Sequence, residues 1–200
     1  MSKGVFKQAL TQGEFELEVK KSRFIVRWKA IESKAEFAPF LEHWRQQFPD
    51  ARHHCWAYCI GEPENALMAG SGDDGEPSGT AGRPMLAAIV HKGFGNIAVV
   101  VIRYFGGTKL GAGGLIRAYS GSVSQALDSA PYQLVQPVQE LRALGDFALE
   151  QGLRHWLSLH QGQMLEVTYA QQVEYRFSLA LGKEVDLSAW LSAQGAELLS

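Results

Sequence analysis

Apolar and polar positions follow two different periods over the first fifty residues. Residues 14–19 alternate glutamate with apolar side chains, and residues 24–28 continue in the same period of two. This pattern is typical of half-buried strands and predicts a β-hairpin with its turn at 20–23. Over 37–48 the apolar residues recur at spacings of three and four, which predicts a helix with one buried face.

The middle of the chain predicts two strands with a long loop and a helix between them. Residues 53–60 form the first strand, and the unbroken β-branched run 97–102 forms a second strand that should be buried on both faces. The loop at 71–84 ends at the start of the intervening helix, where a proline is well tolerated. A glycine-rich turn at 103–114 then leads into a helix over 115–127.

The character of the chain changes near Pro131. The residues before it carry 15 basic and 13 acidic side chains, whereas those from it onward carry 4 and 8. The pattern beyond it predicts a strand (134–141), a helix (144–159), two strands (165–169 and 173–181), a helix (186–193) and a short strand (197–199). This βαββαβ order is that of a ferredoxin-like unit. We therefore predict an α+β protein with two domains, 1–130 and 131–200, and a mainly antiparallel sheet in the first.

The composition is that of an ordinary globular protein. Apolar residues make up 46% and charged residues 20%, and the formal net charge of −2 gives no whole-chain case for nucleic-acid binding. Two cysteines, Cys55 and Cys59, cannot form a disulfide framework, which fits a reducing compartment. The first ten residues lack the apolar core of a signal peptide, and the run 97–102 is too short to span a bilayer. We expect a cytoplasmic protein with no membrane partner.

The loop at 71–84, SGDDGEPSGTAGRP, contains three carboxylates, four glycines and two prolines. Its candidate functional side chains are Asp73, Asp74, Glu76, Thr80 and Arg83. The carboxylates could hold a hard cation, but adjacent aspartates often point apart and the spacing is not that of an EF-hand, so no metal ion is predicted. The glycines before the helix could instead free backbone amides for an anion. The third alternative is a self-bonded capping loop.

The segment HHCWAYCI contains residue types that bind zinc, namely His53, His54, Cys55 and Cys59. Neighbouring residues of a strand face opposite ways, so the two histidines should diverge, while both cysteines share the face of His53. Buried free cysteines are the commoner arrangement. We expect one histidine to face the loop as an acid, a base or a phosphate contact.

The glycine-rich turn RYFGGTKLGAGG lacks the Gly-Lys-Ser/Thr of a P-loop but joins a strand to a helix. A backbone bent by glycines leaves amides free to meet an anion, and nearby cations and aromatic rings could bind phosphates and bases. The candidate nucleic-acid-binding or anion-binding residues are Lys20, Lys21, Arg23, Arg83, Arg103, Tyr104, Phe105, Gly106, Gly107, Lys109 and Arg117. The alternative is a tight turn with its aromatic side chains in the core, and we expect one of the two to pack inward.

Four of these segments together resemble the IMPACT/YigZ family, also called UPF0029. They are KKSRF from Lys20, ARHHC from Ala51, SGDDGEPSGTAGRPML from Ser71 and RYFGGTKLGAGGLIRAY from Arg103. They occur in the family's order and are distributed over most of 15–127. The resemblance implies a first domain similar to domain 2 of ribosomal protein S5 and to domain IV of elongation factor G. The ferredoxin-like tail resembles that of bacterial members and domain V of the same elongation factor.

Two classes of function remain open at this point. The family's link to translation implies a module that binds RNA or the ribosome and regulates translation, which requires a local basic patch. The alternative is a metal-assisted hydrolase or transferase that acts on a phosphate-bearing substrate through the 71–84 loop. We predict no cofactor. We also predict one shared cleft, in which the loop meets one of the two histidines and the 103–114 turn.

Overall fold

The computed structural model describes residues 4–199, which divide into two compact units. The N-terminal unit spans Phe6–Val135, and the C-terminal unit takes residues 136–199 together with residues 4 and 5. The strand predicted at 134–141 was wrong, because two strands occupy this region and the division falls between them. Pro137 lies in the break, and a proline has no N–H group to donate to a strand ladder.

The N-terminal unit is built on a five-stranded antiparallel sheet. Its elements are β1 (Phe6–Ala9), β2 (Gly13–Val19), β3 (Ser22–Ala30), α1 (Lys34–Gln47), β4 (His53–Ile60), β5 (Met68–Gly72), α2 (Gly82–His91), β6 (Ile97–Tyr104), α3 (Ala112–Ser129) and β7 (Tyr132–Val135). The sheet order is β2-β3-β6-β4-β5, and every neighbouring pair is antiparallel. The first and last strands, β1 and β7, pair with each other in a separate ribbon.

The central strand β6 carries the core on both of its faces. All six side chains of 97–102 are fully buried, as the β-branched run predicted. One face, with Ile97, Val99 and Val101, packs under α2 and α3. The opposite face, with Val100 and Ile102, packs under α1. The helices therefore cover both sides of the sheet and leave its ends to the loops.

Several element ends differ from the prediction by a few residues. The hairpin turn between β2 and β3 contains two residues rather than four, and both of its lysines have positive φ angles. Helix α2 begins two residues before Pro84, and α3 begins at Ala112, immediately after Gly111. Helix α1 starts with a capping box, in which Ser33 and Glu36 bond each other's backbone. None of the helices within residues 4–199 is long and apolar enough to cross a bilayer.

The C-terminal unit has the predicted ferredoxin-like order. Its elements are β8 (Val138–Gly145), α4 (Leu149–Leu159), β9 (Gln163–Tyr169), β10 (Val173–Ala180), α5 (Glu184–Ala193) and β11 (Glu197–Leu199). They form an antiparallel sheet in the order β11-β8-β10-β9, so the strand predicted at 173–181 belongs to this sheet. Helix α4 starts later than predicted, because β8 extends to Gly145. The Asp146 carboxylate then accepts bonds from the Ala148 and Leu149 amides.

Candidate functional site

Three segments meet at one end of the five-stranded sheet. They are the Lys20–Lys21 turn, the start of β4, and the end of β6 with the glycine-rich turn that follows it. The strand register brings them together, because Arg23 pairs with Tyr104 and His53 pairs with Arg103. The loop that follows β5 also reaches this end of the sheet, through its contacts with both histidines.

A buried ion pair lies beneath this end of the sheet. Arg103 Nη1 lies 2.6 Å from Glu76 Oε1, and the two side chains are only 8% and 4% exposed. The Tyr119 hydroxyl of α3 donates to the same carboxylate oxygen at 2.8 Å. Burial raises the pKa of the Tyr119 phenol, so this group remains a donor. A strand, a loop and a helix are therefore joined at one carboxylate.

Asp73 caps the start of α2. Its Oδ1 accepts the Ala81 and Gly82 amides at 3.0 and 2.8 Å, and its Oδ2 accepts the Gly79 amide at 2.7 Å. Partial burial alone would raise the pKa of this carboxyl, but the three N–H donors outweigh it and the pKa is lowered. The amides that an anion would need at this helix end are thus bonded to Asp73.

Asp74 joins the loop to α1 and β4. Its carboxylate accepts Arg45 Nη2 at 2.8 Å and the His54 backbone amide at 2.7 Å. The Asp74 carbonyl lies 3.0 Å from His53 Nδ1. Because a carbonyl only accepts, Nδ1 carries the proton and Nε2 is the acceptor of the neutral ring.

The two histidines have different surroundings, as the strand alternation predicted. His54 is buried, and burial lowers the pKa of its imidazole even though Asp74 lies nearby. His53 is half-buried and lines a surface cleft. Both cysteines are free and buried, and burial raises the pKa of both thiols, that of Cys59 to about 11. Within residues 4–199 no three His, Cys, Asp or Glu side chains are grouped so that they could hold a metal ion.

The 71–84 loop is therefore a self-bonded capping loop, and the prediction that its polar side chains line one shared cleft is wrong in most of its parts. Glu76 and Thr80 are buried, and the Thr80 hydroxyl donates to the Pro77 carbonyl at 2.6 Å. Arg83 lines a different cleft beside α2, with Glu64 and Leu86. The physical reason is that all three carboxylates already have donors, since Asp73 bonds amides of the loop and the start of α2, while Asp74 and Glu76 bond α1, β4, β6 and α3.

The glycines after β6 have two separate roles. Gly106 lies so close to the hairpin turn that a Cβ atom there would come within 2.0 Å of the Lys21 carbonyl carbon. Its amide donates to Ser22 Oγ at 3.1 Å. Gly107 instead has a φ of 86°, a conformation that side chains with a Cβ rarely adopt. The turn thus needs glycine twice, once for space and once for backbone angle.

The two aromatic residues of the turn separate, as expected. Tyr104 is half-buried against the α1 face of the sheet, and its hydroxyl donates to Asp50 Oδ1 at 2.7 Å. Burial, and to a smaller extent this hydrogen bond, raises the pKa of Tyr104. Phe105 points outward and is 58% exposed, and the Arg103 guanidinium carbon lies 5.8 Å from its ring centroid.

A cleft of about 520 Å³ opens beside Phe105. Its lining consists of Asp50, Arg52, His53, Arg103, Tyr104, Phe105 and Lys109. Sequence reasoning missed Asp50 and Arg52. Arg52 belongs to the quoted ARHHC segment, so the signal was present but was attributed to the histidines alone.

Five cations of the hairpin turn, the cleft lining and the start of α3 are exposed and form no ion pair within residues 4–199, whereas two others are already paired. The unpaired five are Lys20, Lys21, Arg52, Lys109 and Arg117. Arg23 pairs with Glu16 at 2.8 Å, and Arg103 pairs with Glu76. We call the five unpaired cations together with Phe105 the basic rim.

The start of α3 adds a positive dipole to the same region. Gly111 is its N-cap, no side chain caps it, and its first turn contains no acidic residue. An Arg117 guanidinium nitrogen would lie 3.5 Å from a Cβ atom placed on Gly113, so this cation lies beside the helix start. Uncapped N–H groups at a helix start favour negative charge.

Comparison with known proteins places these segments in a common context. The family model described as the Impact N-terminal domain matches residues 20–127. The chain is 39% identical over 175 residues to the IMPACT family member YigZ of Escherichia coli (strain K12), covering 88% of this chain and 86% of that protein. It is 36% identical over 180 residues to the IMPACT family member YvyE of Bacillus subtilis (strain 168), covering 90% and 82%.

A solved structure matches the chain over nearly its whole length. The crystal structure of a hypothetical protein aligns with a TM-score of 0.67 at 35% identity, covering 98% of this chain and 97% of that chain. The α+β architecture therefore has a counterpart that spans both units.

Replacing Asp73 with alanine should destabilise the protein by about 0.5–2 kcal/mol at neutral pH, since three N–H groups at the start of α2 lose their acceptor. The folded-state pKa of Asp73 lies below its ordinary value of 3.8. Its stabilisation is therefore complete above the unfolded-state pKa and is lost as the pH falls through the folded-state pKa. Urea unfolding of both proteins at several pH values should show the difference shrinking in acid.

Asp128→Ala is the matched control, because it removes the same charge from an exposed pair with Lys92. It should cost less than Asp73→Ala, because exposed ion pairs contribute only about 0–1 kcal/mol. An Asp73→Ala cost that equals this control, or that stays constant into acid, would contradict the capping role.

Gly106→Ala and Gly121→Ala should change stability in opposite directions. A Cβ atom at Gly106 meets the Lys21 backbone, so the hairpin turn must move, at a cost of about 1–3 kcal/mol. Gly121 lies inside α3 with nothing within 4 Å of its added Cβ, so alanine should stabilise the helix by about 0.5–1 kcal/mol. Thermal unfolding of the two variants measures both effects, and equal shifts would show that the close approach is unimportant.

Proposed function

The chain belongs to the IMPACT family, and we propose that its N-terminal unit binds RNA, on or near the ribosome, as part of translational regulation. One observation supports this proposal above the others. Arg52 and Lys109 line a cleft together with the exposed ring of Phe105, and Lys20 and Lys21 lie on the turn that packs against the next residue, Gly106.

The electrostatic support comes from how the charges are distributed. The whole chain has a net charge of −2, but most acidic groups beside the rim are buried or paired, and Asp50, which lines the cleft, accepts the Tyr104 hydroxyl. Glu76 is buried against Arg103, while Asp73 and Asp74 accept bonds from backbone and side-chain donors. The five exposed cations of the basic rim therefore outnumber the exposed carboxylates of Asp50 and Glu18 at this end. Such a local patch neutralises phosphates and releases counterions, whatever the sum over the chain.

The rigidity of the rim also supports binding. Lys20 and Lys21 occupy a two-residue turn with φ values of 49° and 65°, although turns of this kind favour asparagine and glycine. Lysine is held there despite the strain, and strained residues cluster at functional sites. The Gly106 contact fixes this turn against the segment that carries Phe105. The cations and the ring are thus presented together before any partner arrives.

The aromatic component favours a nucleic acid over a simple anion. A ring that is 58% exposed beside a guanidinium offers a face on which a base can stack. Phosphate binding alone would need only the cations and the uncapped start of α3. The hydrolase alternative lacks comparable support, because the three carboxylates that it required each have protein donors already.

Replacing both Lys20 and Lys21 with alanine should weaken binding to single-stranded RNA and flatten its dependence on salt. The slope of log K against log salt concentration is negative, and each lost phosphate contact should reduce its magnitude by about 0.7. The loss should be similar for every RNA sequence, since phosphate contacts carry no base information. Fluorescence anisotropy of the full chain at several salt concentrations measures both quantities.

The matched control replaces Lys29 and Lys34 with alanine. These substitutions remove the same charge, but from the other end of β3 and from the start of α1. This variant should keep the salt slope of the original protein. Equal slopes for the two double variants would move the binding surface away from the hairpin turn. If the protein bound RNA-free ribosomal proteins but no RNA, the proposal itself would be contradicted.

A further inference from the structure

We infer that the cleft beside Phe105 takes one unstacked base of a single-stranded RNA and excludes a duplex. This inference rests on the proposed function and adds the strand type and the contact that selects it. The cleft volume of about 520 Å³ lies in the range of pockets that hold one small organic group. A cleft of this volume can hold one nucleotide but not a double helix.

The position of Phe105 determines how the base is held. Its ring is 58% exposed, so a flat partner can reach it. The Arg103 guanidinium carbon lies 5.8 Å from the ring centroid, and that guanidinium is held in turn by Glu76. The ring is therefore fixed from the protein side and open on the solvent side. A base could therefore stack on the solvent side of the Phe105 ring, with the Arg103 guanidinium on the protein side.

Charges within the cleft and next to it allow the flanking phosphates to be held at the same time. Arg52 and Lys109 line the cleft with Asp50, whose carboxylate accepts the Tyr104 hydroxyl, and Lys20 and Lys21 lie on the turn packed against Gly106. A single strand places one phosphate on each side of every base. A base on Phe105 thus has cations available for the phosphates on either side of it.

A duplex cannot make the same contact. Its bases are stacked on both faces within the helix, so a ring reaches a base face only where the strand is unpaired. Modules that bind double-stranded RNA instead span many base pairs along its backbone. The Phe105 cleft is a single concave site at a sheet end, which matches the first mode of binding and not the second.

The test compares three probes with equal numbers of phosphates: an oligouridine strand, the same strand without bases, and an RNA duplex. Phe105→Ala should weaken binding of the full chain to oligouridine by about 5- to 150-fold, the range for one stacked base. The same variant should bind the abasic strand and the duplex as the original protein does. Phe105→Trp should restore binding to oligouridine, since its ring also stacks.

Phe147→Ala is the control, because this phenylalanine of the C-terminal unit is 64% exposed and lies outside the proposed site. It should leave all three affinities unchanged. If Phe105→Ala lost as much affinity for the abasic strand as for oligouridine, the inference would be overturned. A duplex that the original protein binds as tightly as oligouridine would also overturn it. If salt-dependent RNA binding persists in either case, the proposed function stands. If the original protein binds none of the three probes, both fail.

Discussion

The buried ion pair between Arg103 and Glu76 is the contact on which the rest of the site depends. Both side chains are more than nine-tenths removed from water, and removing one partner of such a pair costs about 3–5 kcal/mol because the other charge stays buried. Tyr119 donates to the same carboxylate oxygen, so β6, the 71–84 loop and α3 are fixed relative to one another. Phe105 and the glycine-rich turn follow Arg103 directly in the chain. Their position is set by this pair.

One consequence is that the carboxylates of the 71–84 loop are occupied within the protein, whereas the cations of the basic rim stay exposed. The carboxylates of the 71–84 loop are used to cap α2, to hold Arg45 and to neutralise Arg103. The cations of the basic rim have no such partners within the described residues. A chain whose charges nearly cancel can in this way present a positive surface at one end of a sheet, which net charge alone does not show.

The strands were predictable because burial imposes a period of two or an unbroken apolar run. The run fills 97–102 of β6, and the period of two extends from Val173 to Leu179 in β10. The partners of the loop carboxylates were not predictable, because spacing along the chain does not show contacts across it. Arg45 reaches Asp74 from α1, and no local pattern joins them. The turn at Lys20 was placed but its backbone strain was missed, since lysine is not a typical residue of such turns.

Amide hydrogen exchange of the full chain with and without oligouridine locates the RNA-binding surface without any substitution. If the basic rim binds RNA, oligouridine should slow exchange in the hairpin turn at 19–24, in 50–54 and in 103–114, with little change in the C-terminal unit. Slower exchange confined to residues 136–199, or spread evenly over the chain, would contradict this proposal.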